Sequence, residues 1–405
     1  MKRLFKNIAR LINKSSKVYF KGNKTSNLII YDDFFPNPVS GFRLDEFTFL
    51  LKNIPSSRVI IDSEKTYSYF GYSKESSSVH LNDFFTFNGN EIEIKRVSFV
   101  RKFNNINCKL LYLVFNNNLL RIYKYLEFHK VPYVITLYPG GGFIINDDQT
   151  DKALSDKLSS NLCKGVIVNQ SFTKKYLIDK GICDEHKIKL IFGLPVSSDK
   201  LLYNLKLKQY YPCKKERLDI CFVAARYSKM GMDKGYDIFI EAAKFLNKKY
   251  GFIYFHVIGG FNEMDIEPEE LGNNIKFYGP VKSEDLGGLL SNFDIIVAPN
   301  RSDVISKGAF DGFPVGCCVE AFLVGCCVIT TDPLKENQFY EENKEIFLVE
   351  PLVAQVVNRI ENLIVNPELI KTTGEAGMIK TKMLYSVEAQ LKERVNYLQG
   401  IISSI

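Results

Sequence analysis

Short apolar runs rich in Val, Ile and Leu recur through the first half of the chain, at Asn27–Tyr31, Arg58–Asp62, Leu110–Phe115, Tyr133–Leu137, Gly165–Asn169 and Lys187–Phe192. Each run is almost continuously hydrophobic, and amphipathic stretches lie between them. That pattern predicts parallel strands buried on both faces, joined by helical crossovers. A second series follows at Leu218–Ala224, Phe252–Gly259, Ile275–Tyr278, Asp294–Ala298 and Cys327–Thr330, with helices expected over Tyr236–Tyr250, Ser283–Asn292 and Val319–Val324. Tyr67–Glu93 breaks the alternation and reads as a loop-rich insertion. The polar, Lys-rich stretch Ser197–Arg217 reads as an interdomain linker. The expected organisation is therefore an N-terminal doubly wound α/β domain over 1–200 and a second over 201–375. The remainder, 376–405, ends a helix expected over Thr373–Leu398 that packs back across the junction.

Composition narrows the class. With 405 residues, 46% hydrophobic and 24% charged, the chain has enough apolar material for two full cores. A net charge of +7 is spread along the sequence and falls short of a nucleic-acid footprint, so no nucleic-acid partner is expected. An anionic substrate or an acidic membrane surface suits the charge equally well. Nine Cys, none in a C-x-x-C pair, fit no closed disulfide framework and read as small buried hydrophobes in a reducing compartment. Four scattered His make a His-rich metal site a poor fit.

No apolar run reaches the roughly 18–20 residues of a membrane-spanning helix. The opening segment MKRLFKNIARLINK reads instead as a basic amphipathic helix, with Leu4, Phe5, Ile8, Leu11 and Ile12 on one side. Two readings of it stand open: a helix docked on its own domain, or a peripheral contact with an anionic membrane. The expected location is the cytoplasm, with the inner face of the cell membrane as the variant that such a contact allows.

The chemistry concentrates in Asn300–Asp332. Gly312-Phe313-Pro314 precedes a helix that starts near Val315 and ends at Gly325, as Pro before a helix and Gly after it favour. Small residues at Gly316, Cys317 and Cys318, followed by Val319, leave amides open at a helix N-terminus, where dipole and N–H donors favour a phosphate. Glu320 follows in the first turn, within reach of a polyol such as ribose. Upstream, Arg226 and Lys234 flank a Gly-containing loop after the strand Leu218–Ala224.

These residues in this order resemble the retaining glycosyltransferases of the GT-B fold, the large group-1 or family-4 type. Their signature reads here as Asp311, Gly312, Phe313, Pro314, Glu320, Ala321 and Gly325. The family usually has two Glu with seven residues between them; this chain has Asp311 and eight. The resemblance implies two Rossmann-like domains facing a cleft. It also implies metal-independent transfer of a sugar from a nucleoside diphosphate to the hydroxyl of a glycan or lipid-linked acceptor. Asp311 would contact the transferred sugar, Lys234 and Arg226 the diphosphate, and Glu320 the ribose. The loop Gly279-Pro280-Val281 would cup the nucleobase. On the N-terminal side, Gly41 would approach the donor, and Gly140, Gly141 and Tyr138 would line the sugar or acceptor side, Tyr138 standing where many members carry His. A flexible turn is an equal reading of the Gly run.

The expected donor is a UDP-sugar, with a GDP-sugar as the alternative, and no permanently bound cofactor or metal is expected. Bacterial surface polysaccharide or glycolipid synthesis is the expected setting. Two other readings stand beside this one: a non-catalytic GT-B-like partner subunit, and a nucleotide-sugar epimerase. The chain has no Asp-x-Asp pair, no G-x-x-x-x-G-K-[ST] loop and no G-x-S-x-G elbow.

Overall fold

The computed structural model describes residues 25–37, 39–61, 96–99, 106–196, 201–202, 207–262 and 271–405. The basic helix expected at the start, the insertion Tyr67–Glu93 and part of the linker Ser197–Arg217 lie outside the described residues.

Two parallel sheets form. The first has the order β3-β2-β1-β4-β5-β6-β7. Its strands are β1 Ser26–Asp32, β2 Ser57–Ile61, β3 Val97–Phe99, β4 Cys108–Val114, β5 Tyr133–Leu137, β6 Cys163–Val168 and β7 Ile188–Leu190. The second has the order β10-β9-β8-β11-β12-β13. Its strands are β8 Leu218–Ala224, β9 Ile253–Gly259, β10 Ile275–Phe277, β11 Ile295–Ala298, β12 Cys327–Thr330 and β13 Phe347–Leu348. Among the described residues, four helices serve the first domain: α1 Gly41–Asn53, α2 Asn116–His129, α3 Asp148–Leu158 and α4 Ser171–Asp179. The second has α5 Tyr236–Lys249, α6 Ser283–Leu290, α7 Gly316–Leu323, α8 Val353–Val365 and α9 Glu368–Leu384, and α10 Glu393–Ser404 ends the chain.

Most of the apolar runs became inner strands covered on both faces, and those at Lys187–Phe192 and Ile275–Tyr278 hold the edge strands β7 and β10. Ile29 and Tyr31 point to one side of the first sheet, while Leu28 and Ile30 point to the other, into a core that includes α1 and α10. In both sheets the chain winds outward from one strand and then restarts on its other side, between β1 and β4 and between β8 and β11. Loops diverge at such a point and leave a crevice beyond the carboxyl ends of the strands. The strands β3 and β13, three and two residues long, are too short to register as hydrophobic runs.

One helix differs from expectation. Thr373–Leu398 is not continuous: α9 stops at Leu384, and a π-helical turn, Glu388–Lys392, leads into α10. Gly374 and Gly377 of α9 pack on the second domain, where a Cβ at Gly374 would lie 2.4 Å from the Gly325 carbonyl oxygen. Val395, Leu398 and Ile402 of α10 belong to the first domain's core. The apolar periodicity runs through the break because both pieces are amphipathic; the break is where the chain changes domain.

Candidate active site

The loops after β8 and β11 meet backbone to backbone. Gly235 adopts φ 72°, and a Cβ there would lie 2.1 Å from the Pro299 carbonyl oxygen, so only glycine permits the approach. This contact brings Lys234 opposite Asp311. The Lys234 Nζ lies 2.7 Å from both Asp311 carboxylate oxygens, and the Asn300 amide donates to Asp311 Oδ2 at 2.6 Å. Burial by itself would lower the Lys234 pKa, but the Asp311 carboxylate outweighs it and the net shift is upward. The site thus holds a fixed ammonium.

Arg301 braces this corner. Its Nη2 donates to both Asp237 oxygens at 2.6 and 2.7 Å, and its Nε donates to the Met232 carbonyl at 2.8 Å. Asn300 and Arg301 open the stretch Asn300–Asp332 singled out in the sequence, but neither is among the candidate site residues. Arg226 stands over the Phe261 ring at 5.8 Å, and Phe261 stacks on Tyr236 at 4.3 Å.

Helix α7 starts at Gly316, and Val315 before it offers no side-chain cap. The expectation of four open amides is corrected here. The Cys318 and Val319 amides donate to the Val315 carbonyl at 2.9 and 3.3 Å, as the first helical turn requires, and both side chains are buried in the core. The amides left for an anion are those of Gly316 and Cys317. Glu320 keeps some accessible surface but lies deep between the domains. Burial, with the Asp45 carboxylate adding to it, pushes its carboxyl up to about 8. No hydrogen-bond partner for it is found among the described residues.

Gly41, the first residue of α1, faces this carboxyl from the other domain. A Cβ on Gly41 would lie 3.2 Å from Ser283 Cβ and 3.6 Å from Glu320 Oε1. Ser283 is the first residue of α6, whose N-cap position is Lys282 with no side-chain cap. Just upstream, Gly279 has φ 66° with open space around it, and its carbonyl accepts from the Gly259 amide at 3.0 Å. Pro280 and Val281 continue this loop at the carboxyl end of β10.

The Gly run divides by role. Gly140, Gly141 and Gly142 are all left-handed, at φ 74°, 53° and 85°. Cβ atoms on Gly141 and Gly142 would lie 2.3 Å from Phe115 and 2.1 Å from Asn117, so these two serve packing within the domain; Gly140 alone faces open space. Tyr138 departs from its expected role. It is 5% exposed, and its hydroxyl donates to the buried Glu46 at 3.1 Å and accepts from Arg394 at 3.3 Å. The polar end that would touch a ligand is turned into the core.

The domains also interlock through the loop before Asp311. Phe310 is buried in the first domain's core, with Phe143 at 5.7 Å and Phe172 at 6.0 Å. The Gln170 side chain exchanges two hydrogen bonds with the Phe313 backbone, at 3.0 and 3.2 Å. The signature loop is therefore held from both sides. Among the described residues, no group of three or more His, Cys, Asp or Glu is arranged to hold a metal ion.

Two tandem parallel-sheet α/β domains meeting in this way define the GT-B architecture. Residues 209–379, which take in nearly all of the second domain, match the family described as glycosyl transferases group 1. Comparison with curated protein sequences gives no match. Among solved structures the chain is similar to a glycosyltransferase from Rickettsia africae ESF-5, at 16% identity and TM-score 0.66, covering 94% of this chain and 99% of that one. It is also similar to Anabaena HepE in complex with UDP-glucose, at 14% identity and TM-score 0.64, over 94% of this chain and 100% of that one. Sucrose-phosphate synthase from Thermosynechococcus elongatus aligns at 14% identity and TM-score 0.59, with the same coverage. At such identities the likeness speaks to the fold.

Proposed function

We propose that the protein transfers a sugar, a hexose by expectation, from a UDP-sugar to an acceptor hydroxyl with retention of anomeric configuration and without a metal ion. The observation that supports this most is the Lys234 ammonium fixed by Asp311 in the loop that leads into α7, with Glu320, which has no hydrogen-bond partner among the described residues, one turn into that helix. A diphosphate there meets Lys234, the Gly316 and Cys317 amides and, from the loop after β8, Arg226. As the glycosidic bond breaks, charge grows on the departing phosphate, and donors fixed in advance stabilise it. Glu320 accepts hydrogen bonds from the ribose hydroxyls, and Asp311 turns from Lys234 towards a hydroxyl of the transferred sugar. The departing phosphate takes the acceptor proton, so no separate protein base is needed. Gly279, Pro280 and Val281 offer backbone groups to the base.

HepE was solved with UDP-glucose, which favours uracil over guanine as the base for this chain too. The acceptor is a glycan or a lipid-linked glycan, and the setting is bacterial surface polysaccharide or glycolipid assembly in the cytoplasm, at the inner membrane face for a lipid-linked acceptor. Among the described residues no helix is long and apolar enough to cross a membrane.

A thermal-shift titration with UDP-, GDP-, ADP- and CDP-sugars tests the reading. A ligand at a hundred times its Kd adds about 2.7 kcal/mol to the native state. UDP-glucose is expected to raise the unfolding midpoint and to release UDP slowly in water. If no nucleotide sugar binds or turns over, the reading is wrong.

A further inference from the structure

Glu46 and Arg394 are both completely buried, one on α1 and the other on α10. The Tyr112 hydroxyl of β4 donates to Glu46 Oε1, and the Tyr138 hydroxyl donates to Oε2 at 3.1 Å. Arg394 supplies the counter-charge. Its Nη2 donates to the Tyr138 oxygen at 3.3 Å, its Nε stands 3.7 Å from Glu46 Oε1, and its Nη1 donates to the Gln390 backbone and side-chain oxygens at 2.8 and 3.0 Å. Gln390 in turn donates to the Phe192 carbonyl just after β7, at 2.5 Å.

This cluster does not touch the cleft, yet it joins the two first-domain elements that do. Helix α1 begins with Gly41, which abuts Glu320 and Ser283. Tyr138 leads into Pro139, whose Cγ would lie 3.4 Å from a Cβ on Gly312, next to Asp311. One carboxylate thus sets where both stand, and its neutralising partner comes from the last helix of the chain. A buried ion pair is rarely the most stable filling for such a space; fixing one arrangement among several is its better-attested use.

We propose that Glu46 and Arg394 are a positioning pair for catalysis, placing α1 and the Pro139–Gly142 loop against the donor site, so that α10 is part of the catalytic unit. The proposal rests on the reading that the donor binds at Lys234 and Glu320. It predicts a separation of effects, because the donor is held by the second domain and the geometry of transfer by the first.

The test compares Glu46→Gln, Arg394→Gln and the double variant with the wild type. Each single variant leaves a buried polar partner without its complement and is expected to lower the unfolding midpoint. The double variant removes both charges and is expected to recover much of that loss. In the double variant, kcat for UDP-glucose turnover should still fall on the order of a hundredfold, the effect of a misplacement of about 1 Å at reacting groups. KM for UDP-glucose and the calorimetric affinity for UDP should hold. Hydrogen exchange needs no ligand: amides of Gly41–Leu44 and Gly140–Phe143 should exchange faster in the double variant than in the wild type. Wild-type kcat, a matching loss of UDP affinity, or unchanged exchange in both segments would each overturn the positioning role. A wild-type protein that ignores UDP and UDP-glucose would instead sink the donor reading, with exchange still deciding the positioning role.

Discussion

Lys234 and Asp311, 77 positions apart in the sequence, form a two-pronged ion pair in which both carboxylate oxygens lie 2.7 Å from the ammonium nitrogen. Lys234 is the last residue before the Gly235 turn into α5, and Asp311 opens the loop into α7. Their meeting ties together the two loops that diverge at the second sheet's crevice. It also gives the lysine a charge that is already balanced. In the proposed reading, an arriving diphosphate would compete with Asp311 for the ammonium, and the displaced carboxylate would accept from a sugar hydroxyl. The pair would then join recognition of the phosphate to recognition of the sugar.

Replacing Lys234 with Ala tests this directly. Turnover of UDP-glucose, followed as UDP release, is expected to fall about 10²–10³-fold, as when a single donor to a developing charge is removed. Asp311 has 32% of its side chain exposed and can recover water, so the unfolding midpoint without nucleotide should change little. A large loss of stability with activity retained per folded molecule would assign the pair a purely structural role.

Glu320 makes the protein sensitive to pH in a defined direction. Its carboxyl rises from an ordinary 4.5 to about 8 on folding, first through burial and then through Asp45. Between those values the native state holds a proton that the unfolded chain has lost. The stability this contributes is whole below about 4.5 and disappears as pH rises towards about 8. Glu320→Gln should flatten that part of the pH–stability curve. Ribose hydroxyls donating to the carboxylate favour its ionised form, so UDP binding near neutrality should release a proton and tighten with rising pH. Calorimetry in two buffers of different ionisation heat measures the release; equal heats in both would contradict it.

A branched side chain at Gly41 should crowd the domain interface. The Gly41 φ is not in the left-handed region, but a Cβ would stand 3.2 Å from Ser283 Cβ. Gly41→Val is expected to fold, to bind UDP through the second domain, and to lose turnover by about tenfold or more because α1 is pushed back from Glu320. Wild-type turnover in that variant would remove Gly41 from the site.

Much of this architecture was legible in the residues. The strand runs Tyr133–Leu137 and Leu218–Ala224 have the bounds expected of them. Helix α7 and its stop at Gly325, φ 80°, follow from the Pro–Gly punctuation. Legibility ended where a side chain had to choose a partner. The family resemblance implies a ligand contact at Tyr138, where many members carry His, but Glu46 and Arg394 offer its hydroxyl a buried pair of bonds. Phe310 lies in the loop ahead of the acidic signature, where nothing local marks it as core, and it packs in the other domain's core. Cys318 and Val319 were counted as open amides, although their bonds to Val315 follow from the helix they begin.

The sequence by itself determined the two sets of buried strands, the order of elements and the acidic signature at a helix start, because apolar periodicity and Pro/Gly punctuation act over a few neighbouring residues. Only the tertiary structure decided that Lys234 meets Asp311, that Gly41 meets Glu320, that the last helix breaks after Leu384 and that Arg394 reaches Tyr138 across 256 positions. Periodicity states whether a side chain is buried. Sheet order and helix packing state beside what, and for charged and hydroxyl groups the neighbour decides the chemistry.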